Sequence, residues 1–146
     1  MIRRAGPGDA ETVLDIHRRT RAAAYAHLGT PEQAAGRGTV ENFRLQLETG
    51  KGFLFERDGQ AIGFAMLHAD ILRELYVLPE AQGTGAGKAL LEVAVAHGAR
   101  QLWVYEDNPG SRAFYEAHGW VAEPESAYVD PEWAIQAPAL RYRLER

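Results

Sequence analysis

The sequence predicts a single α/β domain over residues 1–146, built around a mixed sheet with elements in the order β-α-α-β-β-β-α-β-α-β-β. Three observations predict it. The chain of 146 residues is long enough for one domain and too short for two of ordinary size. Asp58 and Gly59 separate two apolar runs, which is the strongest short-range signal for a β-hairpin. A strand, a glycine-rich turn and a helix follow one another around residues 83–87.

The first 50 residues are predicted to form a strand and two helices. Met1–Ala5 is a short apolar and basic strand, and Asp9 is a suitable N-cap for a helix that reaches Leu28. Thr30, followed by proline and glutamate, predicts the start of a second helix. Glycines around residues 36–38 interrupt that helix before it resumes.

The remaining residues alternate strands with helices that are bounded by glycine, proline or asparagine. The predicted strands are Gly52–Arg57, Gln60–His68, Ile71–Leu78, Gln101–Glu106, Trp120–Glu123 and Ala139–Leu144. One helix is predicted over Lys88–His97, and a second begins at Asn108 and ends at Gly119. Pro124–Pro138 is predicted to be a long loop.

Composition excludes several function classes. The net charge of −4 argues against a nucleic-acid partner, which a basic face would attract. Without cysteine, disulfides, thiolate metal ligands and a cysteine nucleophile are excluded. No apolar run approaches the roughly 20 residues that span a bilayer, and the first residues show no apolar signal segment. We therefore expect a cytoplasmic protein with no membrane partner.

The five histidines are scattered, without the spacing typical of a metal site, so no metal is expected. His17, His27, His97 and His118 are interpreted as cap or surface residues.

The turn at residues 83–87 has the composition of an anion site. Glycines let backbone N–H groups converge, and the N-terminus of the following helix adds positive potential. A tight turn without a ligand would have the same composition. A Walker A loop would need glycine where Gln82 stands and a hydroxyl where Ala89 stands. A dinucleotide fingerprint starting at Gly83 would need glycine where Lys88 stands, so both patterns fail.

Two further signatures stand in order, with room for one helix and one strand between them. The run QGTGAG at residues 82–87 follows a strand. Residues 108–120 contain an asparagine at the end of a strand, a helix with Phe-Tyr-Glu, and a glycine-aromatic pair before the next strand. Together they resemble the GCN5-related N-acetyltransferase (GNAT) family. The resemblance is specific from about Ile71 to Trp120; before that, only the order of elements agrees.

The resemblance implies the GNAT fold, a mixed and mostly antiparallel sheet of six to seven strands flanked by about four helices. It also implies acetyl-CoA as co-substrate. The pyrophosphate would lie on the amides of the glycine turn, and the pantetheine arm beside a fourth strand that splays from the fifth. The implied cofactor-binding residues are Leu75, Tyr76, Val77, Gln82, Gly83, Thr84, Gly85, Ala86, Gly87, Lys88, Asn108, Ser111 and Arg112.

The resemblance assigns Tyr115 as the general acid that protonates the departing CoA thiolate; packing beside Phe114 is the alternative. Glu74 is a candidate general base, because strand alternation turns it away from the neighbouring apolar positions. The alternative is an exposed glutamate paired with Arg73, and many family members have no fixed base. His68 is a competing base.

The predicted reaction transfers an acetyl group from acetyl-CoA to a primary amine by direct attack in a ternary complex. The resemblance places the acceptor pocket between two segments, which contain Tyr25, His27, Gly29, Pro31, Glu123, Glu125, Tyr128, Asp130, Glu132 and Trp133. Carboxylates among aromatics suit a cationic small molecule, but a protein amine stays open. A non-catalytic acyl-CoA-binding or sensing domain and an unrelated nucleotide-binding module are the alternatives. The sequence does not distinguish a monomer from a homodimer.

Overall fold

The computed structural model describes residues 1–36 and 38–145. The described strands are β1 Ile2–Ala5, β2 Lys51–Arg57, β3 Gln60–His68, β4 Ile71–Val77, β5 Gln101–Tyr105, β6 Trp120–Tyr128 and β7 Ala139–Leu144. The described helices are α1 Ala10–Ala24, α2 Pro31–Ala35, α3 Val40–Thr49, α4 Ala86–Ala96 and α5 Pro109–Ala117.

The strands form one sheet in the order β1-β2-β3-β4-β5-β7-β6. Among the described strands, only β4 and β5 pair in parallel; every other neighbouring pair is antiparallel. The predicted fold class, a mixed and mostly antiparallel sheet flanked by helices, is confirmed.

Helices cover both faces of the sheet and divide the core into layers. On one face α1 and α3 pack with Leu54 and Phe64. On the other face α4 and α5 pack with Leu102 and Trp120. Strand alternation explains the division, because successive side chains of one strand point to opposite faces.

Local sequence signals fix the turns and helix starts that they predict. The β2–β3 hairpin turns at Asp58 and Gly59, which have φ of 54° and 76°, as a type I′ turn requires. Thr30 caps α2, where its hydroxyl accepts from the Gln33 amide at 3.2 Å and the Gln33 side chain accepts from the Thr30 amide at 2.8 Å. Asn108 Oδ1 likewise accepts from the Ser111 amide at 3.1 Å and caps α5.

The largest departures from prediction are the ends of α1 and β6, which contacts outside the local segment decide, and the cap at Asp9. Helix α1 ends at Ala24 instead of Leu28, since the next residue, Tyr25, leaves the helical conformation and packs against Tyr105. Strand β6 continues past the predicted end to Tyr128, which pairs with β7. At the position predicted to be a side-chain N-cap, Asp9 instead accepts from Arg3 and from the Gly6 amide.

Candidate functional site

Strands β4 and β5 separate soon after they begin. They pair only at Ile71 with Gln101 and Leu72 with Leu102. On the other edge of β4, one extra residue, Arg73, lies between the residues paired with Met66 and Leu67, which is a β-bulge. The expected splay is therefore present together with a bulge, and one edge of β4 is unpaired beyond Leu72.

A groove of about 470 Å³ occupies this gap and runs to the glycine turn. We call it the glycine-turn groove. Most residues that the sequence assigned to acetyl-CoA line it together with both proposed catalytic residues. They are Glu74, Leu75, Tyr76, Val77, Gln82, Gly83, Gly85, Gly87, Lys88, Asn108, Ser111 and Tyr115.

The glycine turn presents an uncapped helix N-terminus to the groove. Gly83 and Gly85 have φ of 78° and 91°, and a Cβ placed on either would meet no atom within 4 Å. No side chain caps α4. Within the described residues, the backbone N–H groups of residues 83–88 have no hydrogen-bond acceptor. Converging free amides at a helix N-terminus fit a pyrophosphate group.

Three sequence-assigned positions lie outside the lining of the groove. Ala86 is buried in the core and offers only its backbone amide. The Thr84 hydroxyl donates to the Ala81 carbonyl at 2.5 Å. Arg112 is turned away, with Nε donating to the Tyr142 hydroxyl at 2.9 Å, so the structure does not bring this side chain to the groove.

Tyr115 lines the groove from α5 with its ring held among aromatic neighbours. The ring centroids of Phe114, Trp120 and Tyr142 lie 5.2, 6.2 and 6.5 Å from its own. Within the described residues, no hydrogen bond engages its hydroxyl. Burial raises the pKa of Tyr115 and nearby Tyr25 adds in the same direction, so the phenol is protonated at neutral pH. Packing and a proton-donor role are therefore compatible.

A second cavity, of about 560 Å³, opens on the side of α1 and α3. We call it the aromatic cavity because Trp103, Tyr105, Tyr128 and Trp133 contribute to its wall. It shares lining residues with the glycine-turn groove, so the two spaces meet at the gap between β4 and β5. The shared residues are Tyr25, Leu72, Arg73, Glu74, Tyr76 and Trp103.

Only part of the predicted acceptor segments reaches this cavity. Tyr25, Tyr128, Asp130, Glu132 and Trp133 line it, whereas His27, Gly29, Pro31, Glu123 and Glu125 do not. Among these latter residues, Glu123 instead pairs with Arg141 at 2.9 Å and with Arg143 at 2.6 Å. The competing base His68 is exposed at the end of β3 and lines neither space.

Glu74 meets a histidine that the sequence interpretation placed at the surface. His17 is 5% exposed, and its Nε2 lies 3.1 Å from Glu74 Oε1. The Phe43 and Tyr76 rings pack against the imidazole in T-shaped arrangements, with centroid distances of 5.0 and 5.3 Å. The surface interpretation of His17 was wrong, because α1 packs this residue against the sheet.

Sequence reasoning also missed Arg21, which lines the aromatic cavity one turn after His17. Both polar residues lie on the buried stripe of α1, which also contains Val13, Leu14 and Ile16. A histidine and an arginine four residues apart on an apolar helical stripe were the available signal.

No helix among the described residues is long and apolar enough to cross a bilayer. In residues 1–36 and 38–145, no group of three or more histidine, aspartate or glutamate side chains is arranged to hold a metal ion.

Comparison with known proteins gives the family. A family model described as an acetyltransferase (GNAT) domain matches residues 48–122, which include both signatures. The chain belongs to the GNAT acetyltransferase family. This GNAT chain is 30% identical over 101 residues to the peptidyl-lysine N-acetyltransferase YiaC of Escherichia coli, covering 65% of this chain and 68% of that one.

Other relatives differ in length. The mycothiol acetyltransferase of Streptomyces coelicolor is 37% identical over 115 residues, which are 68% of this chain and 37% of that one. This GNAT chain spans less than half the length of the mycothiol acetyltransferases it matches. The solved structure of the PaiA N-acetyltransferase from Thermoplasma acidophilum in complex with coenzyme A superimposes with a TM-score of 0.73 at 19% identity, covering 98% of each chain.

Proposed function

We propose that this protein transfers an acetyl group from acetyl-CoA to a primary amine by direct attack in a ternary complex. The observation that carries the proposal is the meeting of two cavities at the gap between β4 and β5. One cavity ends at an uncapped helix N-terminus and is lined by Tyr115; the other is lined by the Glu74–His17 pair. A thioester bound along the first and an amine bound in the second would meet at this gap.

Acetyl-CoA is held mainly by backbone groups in this proposal. The free amides of residues 83–88 bind the pyrophosphate, and the dipole of α4 stabilises its charge. The unpaired edge of β4 at Leu75–Val77 receives the amides of the pantetheine arm, as an added strand would. Gln82 Nε2 donates to the Val77 carbonyl at 3.0 Å and ties the turn to that strand. Asn108 and Ser111 border the opposite side.

The proton transfers follow from the side chains that border the gap. An ammonium group gives one proton to Glu74, directly or through water, which frees the nitrogen lone pair. The nitrogen then attacks the thioester carbonyl, the C–N bond forms and the C–S bond breaks. The departing thiolate takes the proton of the Tyr115 hydroxyl. The nitrogen then loses its second proton to solvent, and a proton from solvent restores the phenol. The net products are the amide, CoA thiol and one released proton.

Ligand binding followed by turnover tests the proposal. We expect acetyl-CoA and CoA, but not ATP or NAD, to raise the unfolding temperature. The dissociation constant of acetyl-CoA should be micromolar, which corresponds to a binding free energy of about −8 kcal/mol. Free thiol should then appear at a rate that depends on the added amine. Preference for ATP or NAD would instead indicate a nucleotide-binding module. Acetyl-CoA binding without thiol release from any amine would indicate a sensing domain.

A further inference from the structure

Arg21 is a buried cation that faces only one of the two cavities. Arg21 lies on the last turn of α1, and only 9% of the residue is exposed to solvent. It lines the aromatic cavity and not the glycine-turn groove, so it is placed toward the acceptor and away from the path proposed for acetyl-CoA.

The protein compensates this charge only in part. Nη1 donates to the Tyr76 hydroxyl at 3.3 Å, and the guanidinium carbon lies 4.8 Å from the centroid of the Tyr25 ring. Nε has no hydrogen-bond partner among the described residues. A buried cation is costly unless an anion pairs with it, and phenol oxygens with an aromatic face recover only part of that cost.

No carboxylate of the described residues lies within ion-pair distance of Arg21. Three carboxylates line the same cavity, those of Glu74, Asp130 and Glu132, and each has contacts other than Arg21. Glu74 pairs with His17 at 3.1 Å. Asp130 accepts from the Tyr128 hydroxyl at 3.2 Å and from the Glu132 amide at 2.9 Å. The guanidinium is therefore available to an anion that enters the aromatic cavity.

The position of Arg21 relates it to the proposed site of amine attack. It follows His17 by one helical turn, and side chains four residues apart on a helix are neighbours, with Cβ atoms about 5–6 Å apart. His17 contacts Glu74, the proposed base. A group attached a few bonds from the attacking nitrogen can therefore reach Arg21, whose planar donors suit a carboxylate.

We propose that the acceptor is an amine with a carboxylate close to the nitrogen, the chemistry of a free amino acid, and that Arg21 binds this carboxylate. The inference rests on the proposed acetyl transfer and names the acceptor class of that site. The aromatic wall at Trp103, Tyr128 and Trp133 covers the rest of the molecule. A lysine side chain of a polypeptide carries no carboxylate beside its amine. An acceptor with a further cationic group in place of the carboxylate would be repelled by Arg21.

Product binding tests the inference without requiring turnover. N-acetylated amino acids and their carboxamides are titrated in the presence of CoA and followed by calorimetry. In the wild type we expect the carboxylates to bind about tenfold or more tightly than the carboxamides, because a charge-assisted pair is lost with the amide. The preference should vanish in R21Q and persist in R18Q, since Arg18 is exposed on the same helix and lines neither cavity.

R21K is a second variant that keeps the charge but loses the planar donors, and we expect it to retain part of the preference. Equal affinity of acids and carboxamides in the wild type would overturn the inference, as would an unchanged preference in R21Q. Equal acetylation rates of amino acids and their carboxamides would also overturn it and leave acetyl transfer standing. Arg21-dependent carboxylate binding without thiol release would support this site and contradict acetyl transfer.

Discussion

Glu74 and Tyr115 approach the gap between β4 and β5 from opposite faces of the sheet. Glu74 points toward α1, where it meets His17, and Tyr115 belongs to α5 on the other face. A group that removes a proton and a group that supplies one are thus kept apart. Among the described residues, neither Glu74 Oε2 nor the Tyr115 hydroxyl has a hydrogen-bond partner.

Tyr115→Phe removes one hydroxyl and leaves the packed ring. If that hydroxyl protonates the thiolate, kcat should fall roughly 10²–10⁴-fold, with little change in KM for acetyl-CoA. Steady-state kinetics with a competent amine measures this. Tyr142→Phe is the matched control, because that hydroxyl bonds Arg112 and Glu116 outside the groove. Wild-type turnover in Tyr115→Phe would reduce Tyr115 to a packing residue.

Glu74→Gln keeps the shape of the side chain and removes the proton acceptor. We expect the pH dependence of acetyl transfer to change, while the affinity for acetyl-CoA stays near that of the wild type. The pH–rate profile and calorimetry measure the two quantities. His68→Gln serves as control, since His68 borders neither cavity. An unaltered profile in Glu74→Gln would mean that water or another group accepts the proton.

At the scale of elements, the β4–turn–α4 unit and the splay of β5 produce the groove. The bulge at Arg73 shifts the register of β4, so that Glu74 and Tyr76 face α1 while Leu75 and Val77 face α4. Positive φ at Gly83 and Gly85 turns the chain so that α4 begins with its amides free. The proposed binding of acetyl-CoA therefore depends on backbone conformation more than on side-chain identity.

Gly87→Val tests this dependence on backbone access. A Cβ at residue 87 would lie 3.5 Å from the Phe114 ring and 3.7 Å from Val77, two residues that line the groove, so a valine would add volume at the groove wall. We expect CoA affinity to fall about tenfold or more, or about 1.4 kcal/mol, with little change in the free energy of unfolding.

Calorimetry and urea unfolding measure these two effects. Gly8→Val is the control, because a Cβ there meets nothing within 4 Å and lies outside the groove. Gly85→Val should also lose binding, but its φ of 91° adds backbone strain to the result. Unchanged CoA affinity in both Gly85→Val and Gly87→Val would contradict the placement of the pyrophosphate.

At the scale of the molecule, a layer of core on each face of the sheet packs it against the helices. Leu90 of α4 is fully buried in the core layer on the side of α4 and α5, and one of its methyl groups lies close to Gly63 of β3. The cavity left by Leu90→Ala should lower the free energy of unfolding by about 2–5 kcal/mol.

Urea denaturation measures the effect of Leu90→Ala. Leu45→Ala is the matched control, because Leu45 on α3 is 57% exposed and its truncation should change stability by about 0.5 kcal/mol or less. Similar losses in the two variants would show that burial at α4 does not dominate stability.

Short patterns of adjacent residues predict much of this fold. The Asp58-Gly59 turn, the Thr30 and Asn108 caps and the glycine turn each depend on a few adjacent residues, and the order of the elements follows from them. The end of α1 at Ala24 and the extension of β6 to Tyr128 depend on pairing and packing with distant residues, which local propensity does not contain.

The sequence by itself determined the family signatures, the order of the strands and of most helices, and most of the assigned residues that border the glycine-turn groove. Only the tertiary structure decided that Arg112 turns to Tyr142, that His17 pairs with Glu74, and that Arg21 is a buried cation facing the aromatic cavity. The physical reason is that signatures record local backbone requirements, whereas the partner and burial of a long polar side chain depend on elements far away in the chain.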